Sequence, residues 1–187
     1  MHEKENILSI LKKTEAAVDE EDASLLKELS DQTIHTATIY QDPENITIAV
    51  IIYSLSKLIE RRKYRKYKDW MHFIKHYKKS IAKAITFLEQ DNEKELRKEI
   101  KHLRRHMYKL SKNFKKQIQD VFRKAEINKA SRIYEHGISM QRTSDLLGIS
   151  IWELAEYAGG TAIAEQELAI TLPEAERIKN TLAFFET

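Results

Sequence analysis

Apolar residues recur every three or four positions through most of the chain, the spacing of amphipathic helices. Residues 3–19 set Ile7, Leu8, Ile10, Leu11 and Ala16 on one side of a first helix. Residues 23–40 set Leu25, Leu26, Leu29, Ile34, Ala37 and Ile39 on the inner side of a second. Asp42-Pro43-Glu44 then opens a third, because proline suits the first helical position and acids suit the positive end of the helix dipole. That third segment, ITIAVIIYSLSKLI, is apolar almost all round, which predicts a central helix covered on several sides. Its β-branched residues make a strand the competing local reading, but its length and lack of turn signals favour the helix.

Beyond Arg61 the chain reads RRKYRKYKDW, and Trp70, Phe73, Ile74, Tyr77, Ile81, Ile85 and Leu88 outline a fourth helix ending near Gln90. Asp91-Asn92-Glu93 is the turn. Leu96, Ile100, Leu103, Met107, Leu110, Phe114, Ile118 and Val121 predict a long fifth helix with a near-heptad seam, running on into Ala130–Tyr134. The expected fold is all-α: a helical bundle with a long connecting helix and a C-terminal helix-turn-helix. Three parts are expected: a bundle with basic central helices over 1–127, the motif over 128–160, and a tail with a short helix over 161–187.

The motif rests on KASRIYEHGISMQRTSDLLGISIWELAEYAGG, residues 129–160. Ala130, Ile133 and Tyr134 are expected to face inward, with Gly137 as a left-handed C-cap. Ser139 caps a short helix running to Leu147, and Gly148 makes the turn. Ser150 and Glu153 form a capping box for the next helix, which Gly159-Gly160 stops. Ser144 is small enough for two helices to approach, and Leu154 plugs the space between three. These positions resemble a group of small prokaryotic proteins with an antitoxin-like helix-turn-helix, whose pattern is matched by Ala130, Tyr134, Gly137, Ile138, Ser139, Ser144, Leu146, Leu147, Gly148, Ile149, Ser150, Glu153 and Leu154. The resemblance covers the last third of the chain and implies a protein that binds DNA or neutralises a toxin. The third helix carries Trp152, Glu153 and Glu156 but no Lys or Arg, whereas a reading helix normally offers Arg, Asn, Gln or Lys to base edges.

Composition agrees with helices: 187 residues include only four glycines and two prolines, and 33% are charged. The absence of cysteine excludes disulfides, thiolate metal sites and a cysteine nucleophile. The opening MHEKENILSILKK lacks the basic start and apolar core of a signal peptide, and Ile46–Ile59 is too short and interrupted to span a bilayer, so a cytoplasmic protein with no membrane partner is expected. The net charge of +3 conceals a division. Residues 1–56 hold four basic and eleven acidic side chains, residues 57–124 twenty-three and eight, and residues 125–187 five and ten. A basic middle between acidic ends suits a polyanion or the chain's own acids.

Candidate chemistry follows from that middle. Arg61, Arg62, Arg65, Lys66, Lys75, Lys78, Lys79, Arg97, Lys101, Arg104 and Arg105 can neutralise phosphates, and Tyr64, Tyr67, Trp70, His72, Tyr77 and Tyr108 interleave as rings able to stack on bases. Lys129, Arg132 and Arg142 are the cations near the motif. DNA or RNA is the expected partner. The competing expectation is a protein-interaction adaptor in which Trp152, Glu156 and the tail stripe of Ile178, Leu182 and Phe185, with Ala175, grip another protein. His72/His76 and His102/His106 each share a helix face, a spacing that binds zinc or nickel, but Lys79, Lys83, Arg104 and Arg105 surround them, so they read as a solvated basic flank. No metal, cofactor or catalytic constellation is expected, and the chain reads as a non-enzymatic regulator, with an antitoxin-type repressor the specific form.

Overall fold

A computed structural model describes residues 4–40, 43–106 and 111–160. Among them the order is α1 (Lys4–Asp19), α2 (Ala23–Tyr40), α3 (Pro43–Glu60), a 3-10 turn (Arg62–Lys66), α4 (Trp70–Glu89), α5 (Glu93–His106), α6 (Lys112–Glu135), α7 (Met140–Leu147) and α8 (Ile151–Gly160). The protein is an all-α bundle.

Local chemistry sets the helix starts. Asp22 Oδ1 accepts from Leu25 N at 2.9 Å and caps α2, and Asn92 Oδ1 accepts from Glu95 N at 3.2 Å and caps α5. From 45 to 59, every residue of α3 is buried except Thr47, Tyr53 and Lys57, which are half-buried. Helices α2, α6 and α7 pack around α3. Buried hydroxyls serve as ties rather than costs: Ser30 donates to the Ala49 carbonyl at 2.7 Å, and Tyr77 to the Ile51 carbonyl at 2.6 Å.

Three sequence expectations need correction. The long fifth helix is two helices. α5 ends at His106 and α6 begins after Ser111, whose ψ of 146° is extended. Asp69 Oδ2 accepts from Ser111 N at 2.8 Å, and Phe114 stacks on Tyr67 with ring centres 4.8 Å apart, so contacts made 42 and 47 residues away fix where α6 starts. Ile39, expected inside, is 65% exposed. Tyr134, also expected inside, is exposed, because Ala130 and Ile133 occupy the inward face of α6 at that level.

α6 runs unbroken past 127/128. Its C-terminal part packs with α7 and α8. Ala130, Ile149 and Leu154 form a small core there, with Met140 and Leu147 against it. Ile133, Ile138, Leu146 and Leu147 in turn meet Ile34 and Ala37 of α2 and Ile46 and Ala49 of α3, so this three-helix unit is docked on the bundle. The tail beyond Gly160 lies outside the described residues.

Candidate nucleic-acid interface

The 3-10 turn and the start of α4 carry their cations outward because their rings go inward. Tyr64, Trp70, Phe73 and Tyr77 are buried, and Trp70 and Phe73 both pack on Phe114, with ring centres 6.4 and 5.9 Å away. Burial pushes the Tyr77 phenol well above its ordinary range. The expected stacking rings Tyr64, Trp70 and Tyr77 are therefore core residues and cannot meet bases. Tyr67 is half-buried against Phe114, and Tyr108 lies outside the described residues.

The expected phosphate-binding cations divide into two groups. Several are occupied by the acidic N-terminal helices: Arg65 pairs with Glu21 at 2.6 Å, Lys78 with Asp19, and Arg97 with Glu44 at 2.8 Å. Arg132 pairs along its own helix with Glu135 at 2.9 Å. Arg61, Arg62, Lys66, Lys75, Lys79 and Lys101 are exposed and enter no ion pair among the described residues. Arg142 is exposed on α7, its backbone N–H donating to the Ser139 cap at 3.2 Å. The side chains of Arg104 and Arg105 lie outside the described residues.

Lys129 is a correction. The sequence places it at the surface beside the motif, yet its side chain is 0% exposed. Its Nζ pairs with Asp31 at 2.6 Å and sits 4.2 Å from the centre of the Tyr53 ring. Burial lowers its pKa from the usual lysine range, against the Asp31 carboxylate, which raises it. Lys129 thus joins α6 to α2 and α3 and is unavailable to a polyanion. The sequence could not show this, since its partner is 98 residues away.

The fold also adds cations. The Asp69–Ser111 bond and the Tyr67–Phe114 stack bring the first turns of α6 beside the 3-10 segment. Lys68, Lys112 and Lys116 are exposed there and, among the described residues, enter no ion pair. They extend the surface of Arg61, Arg62 and Lys66. The signal for them is the charge run itself; only the contacts of Ser111 and Phe114 with Asp69 and Tyr67 show which members share a face.

The α6–α8 unit presents a different surface. Ser139 Oγ caps α7, and Gly148 adopts φ 66° and ψ 33° in the turn. Ser150 and Glu153 form the reciprocal box: Glu153 N donates to Ser150 Oγ at 3.2 Å, and Ser150 N to Glu153 Oε2 at 3.1 Å. Arg123 of α6 also binds the Glu153 carboxylate, its Nε at 3.0 Å from Oε1. Trp152 is 80% exposed and Glu156 is exposed beside it. Ile178, Leu182 and Phe185 lie outside the described residues.

Among the described residues no three His, Asp or Glu side chains converge as a metal site, and no helix is long and apolar enough to cross a membrane. No protein-family model matches the chain, and no curated protein or solved structure is detectably similar to it.

Proposed function

We propose that the protein is a non-enzymatic regulator that binds nucleic acid through phosphate contacts, with residues 128–160 acting as an antitoxin-type helix-turn-helix. The observation that carries this reading is the set of exposed cations that enter no ion pair among the described residues: Arg61, Arg62, Lys66, Lys75, Lys79 and Lys101, joined by Lys68, Lys112 and Lys116. Folding sets Glu21, Asp19 and Glu44 against Arg65, Lys78 and Arg97, while the cations of that set remain facing solvent. The burial of Tyr64, Trp70 and Tyr77 argues for the sugar-phosphate backbone as the target rather than stacked single-stranded bases. Phosphate contacts give affinity without sequence information. The acidic, Trp-bearing face of α8 is poorly suited to base readout.

The test is fluorescence anisotropy on random and defined duplexes over a salt series. Changing Arg61, Arg62 and Lys66 together to Gln is expected to weaken binding to all sequences alike and to flatten the salt slope by about 0.9 for each phosphate that is no longer neutralised. Arg65→Gln should do less, because that guanidinium already holds Glu21. A native chain that binds no duplex at low salt ends the reading.

A second reading, a protein-interaction adaptor, is favoured by Trp152, an indole left 80% exposed next to Glu156. Large aromatics exposed on a helix face are the usual anchors of protein interfaces. Changing Trp152 and Glu156 to Ala should then abolish capture of a stoichiometric protein while leaving duplex affinity intact.

A further inference from the structure

Residues 61–88 hold ten Lys and Arg but a single acid, Asp69, and residues 100–119 hold seven and no acid. A carboxylate set among these cations weakens a polyanion site by its charge alone. Nor does Asp69 serve its own helix. It occupies the N-cap position of α4, where an aspartate ordinarily accepts from the first turn, yet its side chain makes no capping bond there. Its Oδ2 instead accepts from Ser111 N at 2.8 Å, 42 residues further along the chain. The Ser111 hydroxyl also bonds this carboxyl. That bond first, and the amide bond next, hold its pKa below the usual carboxylate range. Ser111 in turn is the N-cap of α6 and gives α6 no side-chain cap. Both cap residues are thus directed at each other rather than at their own helices. From this we infer that Asp69 is the positioning residue of the phosphate-binding surface. It binds no phosphate itself, and it holds the start of α6 so that Lys112 and Lys116 act with Arg61, Arg62, Lys66 and Lys68 on one duplex backbone. The inference rests on the nucleic-acid reading above.

Two contacts make the junction, and they do different things. Phe114, three residues after Ser111, is buried and stacks on Tyr67, two residues before Asp69, with ring centres 4.8 Å apart. Stacked rings set how closely the two segments approach but constrain rotation of α6 weakly. The hydrogen bond is directional, and it fixes which side of the first turns of α6 meets the 3-10 segment. Lys112 and Lys116 lie about one turn apart there, both exposed and in no ion pair among the described residues. An ionised carboxylate suits the task because it accepts from the amide and the hydroxyl of Ser111 together. The surface loses one unit of charge at Asp69 and gains two from Lys112 and Lys116, so the acid leaves it more attractive to phosphate.

Two substitutions that change charge equally separate position from electrostatics. Asp69→Asn loses the charge but keeps an oxygen that accepts from Ser111, whereas Asp69→Ala loses both. Electrostatics alone would tighten duplex binding by the same factor in each. Positioning predicts tighter binding by Asp69→Asn only. Asp69→Ala should bind more weakly than Asp69→Asn, with a salt slope flatter by about 0.9 for each of Lys112 and Lys116 that leaves a phosphate. Changing Lys112 and Lys116 together to Gln should flatten the slope in the native chain and in Asp69→Asn, but not in Asp69→Ala. Helical content and melting establish that the variants are folded. Ser111→Pro gives an independent route: it removes both donors with no change of charge, and φ of −55° at that position accepts the ring. It should flatten the slope as Asp69→Ala does. Fluorescence anisotropy on a random duplex over a salt series reads every case. Equal affinity and slope for Asp69→Asn and Asp69→Ala, a double lysine change that costs as much in Asp69→Ala as in the native chain, or a native slope in Ser111→Pro would each overturn the role of Asp69 and leave the nucleic-acid reading standing. A native chain that binds no duplex at low salt ends that reading and this inference with it.

Discussion

From position 45 to 59, α3 buries every side chain but the half-buried Thr47, Tyr53 and Lys57, and α1, α2, α4, α5 and α6 draw on the same core. The α6–α8 unit closes over Ala130, Ile149 and Leu154, with Met140 and Leu147 at the margin. That is too little apolar surface to define a unit of its own. Directional bonds make up the difference: the Ser139 cap, the Ser150–Glu153 box, Arg123 on Glu153, and Asn128 Nδ2 donating to Tyr157 Oη at 3.1 Å. One region is held by area and the other by caps, ion pairs and docking on α2 and α3. Damage to the first should therefore be global, and damage to the second local.

Ile51→Asp offers the largest test of the difference. The side chain is buried in the central helix and its carbonyl already receives the Tyr77 phenol, so the new carboxyl has no partner. The expected cost is on the order of several kcal/mol, seen as a lower melting temperature of the whole molecule. A variant that melts like the native chain would mean that α3 is not the centre of the bundle.

The junction between the regions comes next. Asp31→Asn removes the anion from a lysine whose side chain is 0% exposed. The expected loss is about 1–3 kcal/mol. Lys129→Met should cost less, since a chain of similar length fills the space without a charge to bury. Denaturant titration of both variants checks the order. If the methionine variant is the weaker, the ion pair itself stabilises the docking of α6.

Gly148→Ala separates strain from crowding. Nothing lies within 4 Å of an added Cβ, but φ is +66°, in the left-handed region. The expected cost is about 1–2 kcal/mol from the backbone alone. It should appear as faster amide exchange over residues 139–157, with α1–α5 unchanged. Uniform exchange across the molecule would show that the two regions open together.

These contrasts also separate what was legible in the sequence from what was not. Local chemistry was legible: the Ser139 cap, the left-handed Gly137 and Gly148, the Ser150–Glu153 box and the all-round apolar α3 all depend on neighbours within a few residues. Features set by distant partners were not. Lys129 reads as a surface cation until Asp31 is brought to it, and the start of α6 is invisible until Asp69 receives Ser111. Tyr64, Trp70 and Tyr77 alternate with cations in a pattern that fits either a stacking surface or a core edge, and only the packing of Phe114 against Trp70 and Phe73 decides for the core. The candidate interface was thus legible as a charge excess but not as a set of residues. His76 against His102 is the same lesson in the other direction, two rings from different helices that meet only through the packing of α4 on α5.

The smallest effect is the most specific to the polar side of the comparison. The Glu153 carboxylate accepts from Ser150 Oγ at 2.6 Å and from Ser150 N at 3.1 Å, and it is gripped by Arg123. Those hydrogen bonds, from Ser150 first and Arg123 next, lower its pKa from 4.5 to about 2. A carboxyl whose pKa is depressed by folding contributes stability that is fully present above its unfolded pKa and is lost as pH falls through the folded value. Protection of amides in α7 and α8 should therefore decline as pH drops from about 4.5 toward 2, and Glu153→Gln should remove that dependence. Ser150→Ala should cost about 1 kcal/mol through loss of the cap and return the carboxyl toward its ordinary pKa. An NMR titration of the Glu153 side-chain carbon reads the pKa directly. A midpoint near 4.5 in the native chain would mean that the box and the Arg123 clasp do not persist in solution, and that α8 is held to α6 by Leu154, its apolar neighbours and the Asn128–Tyr157 hydrogen bond.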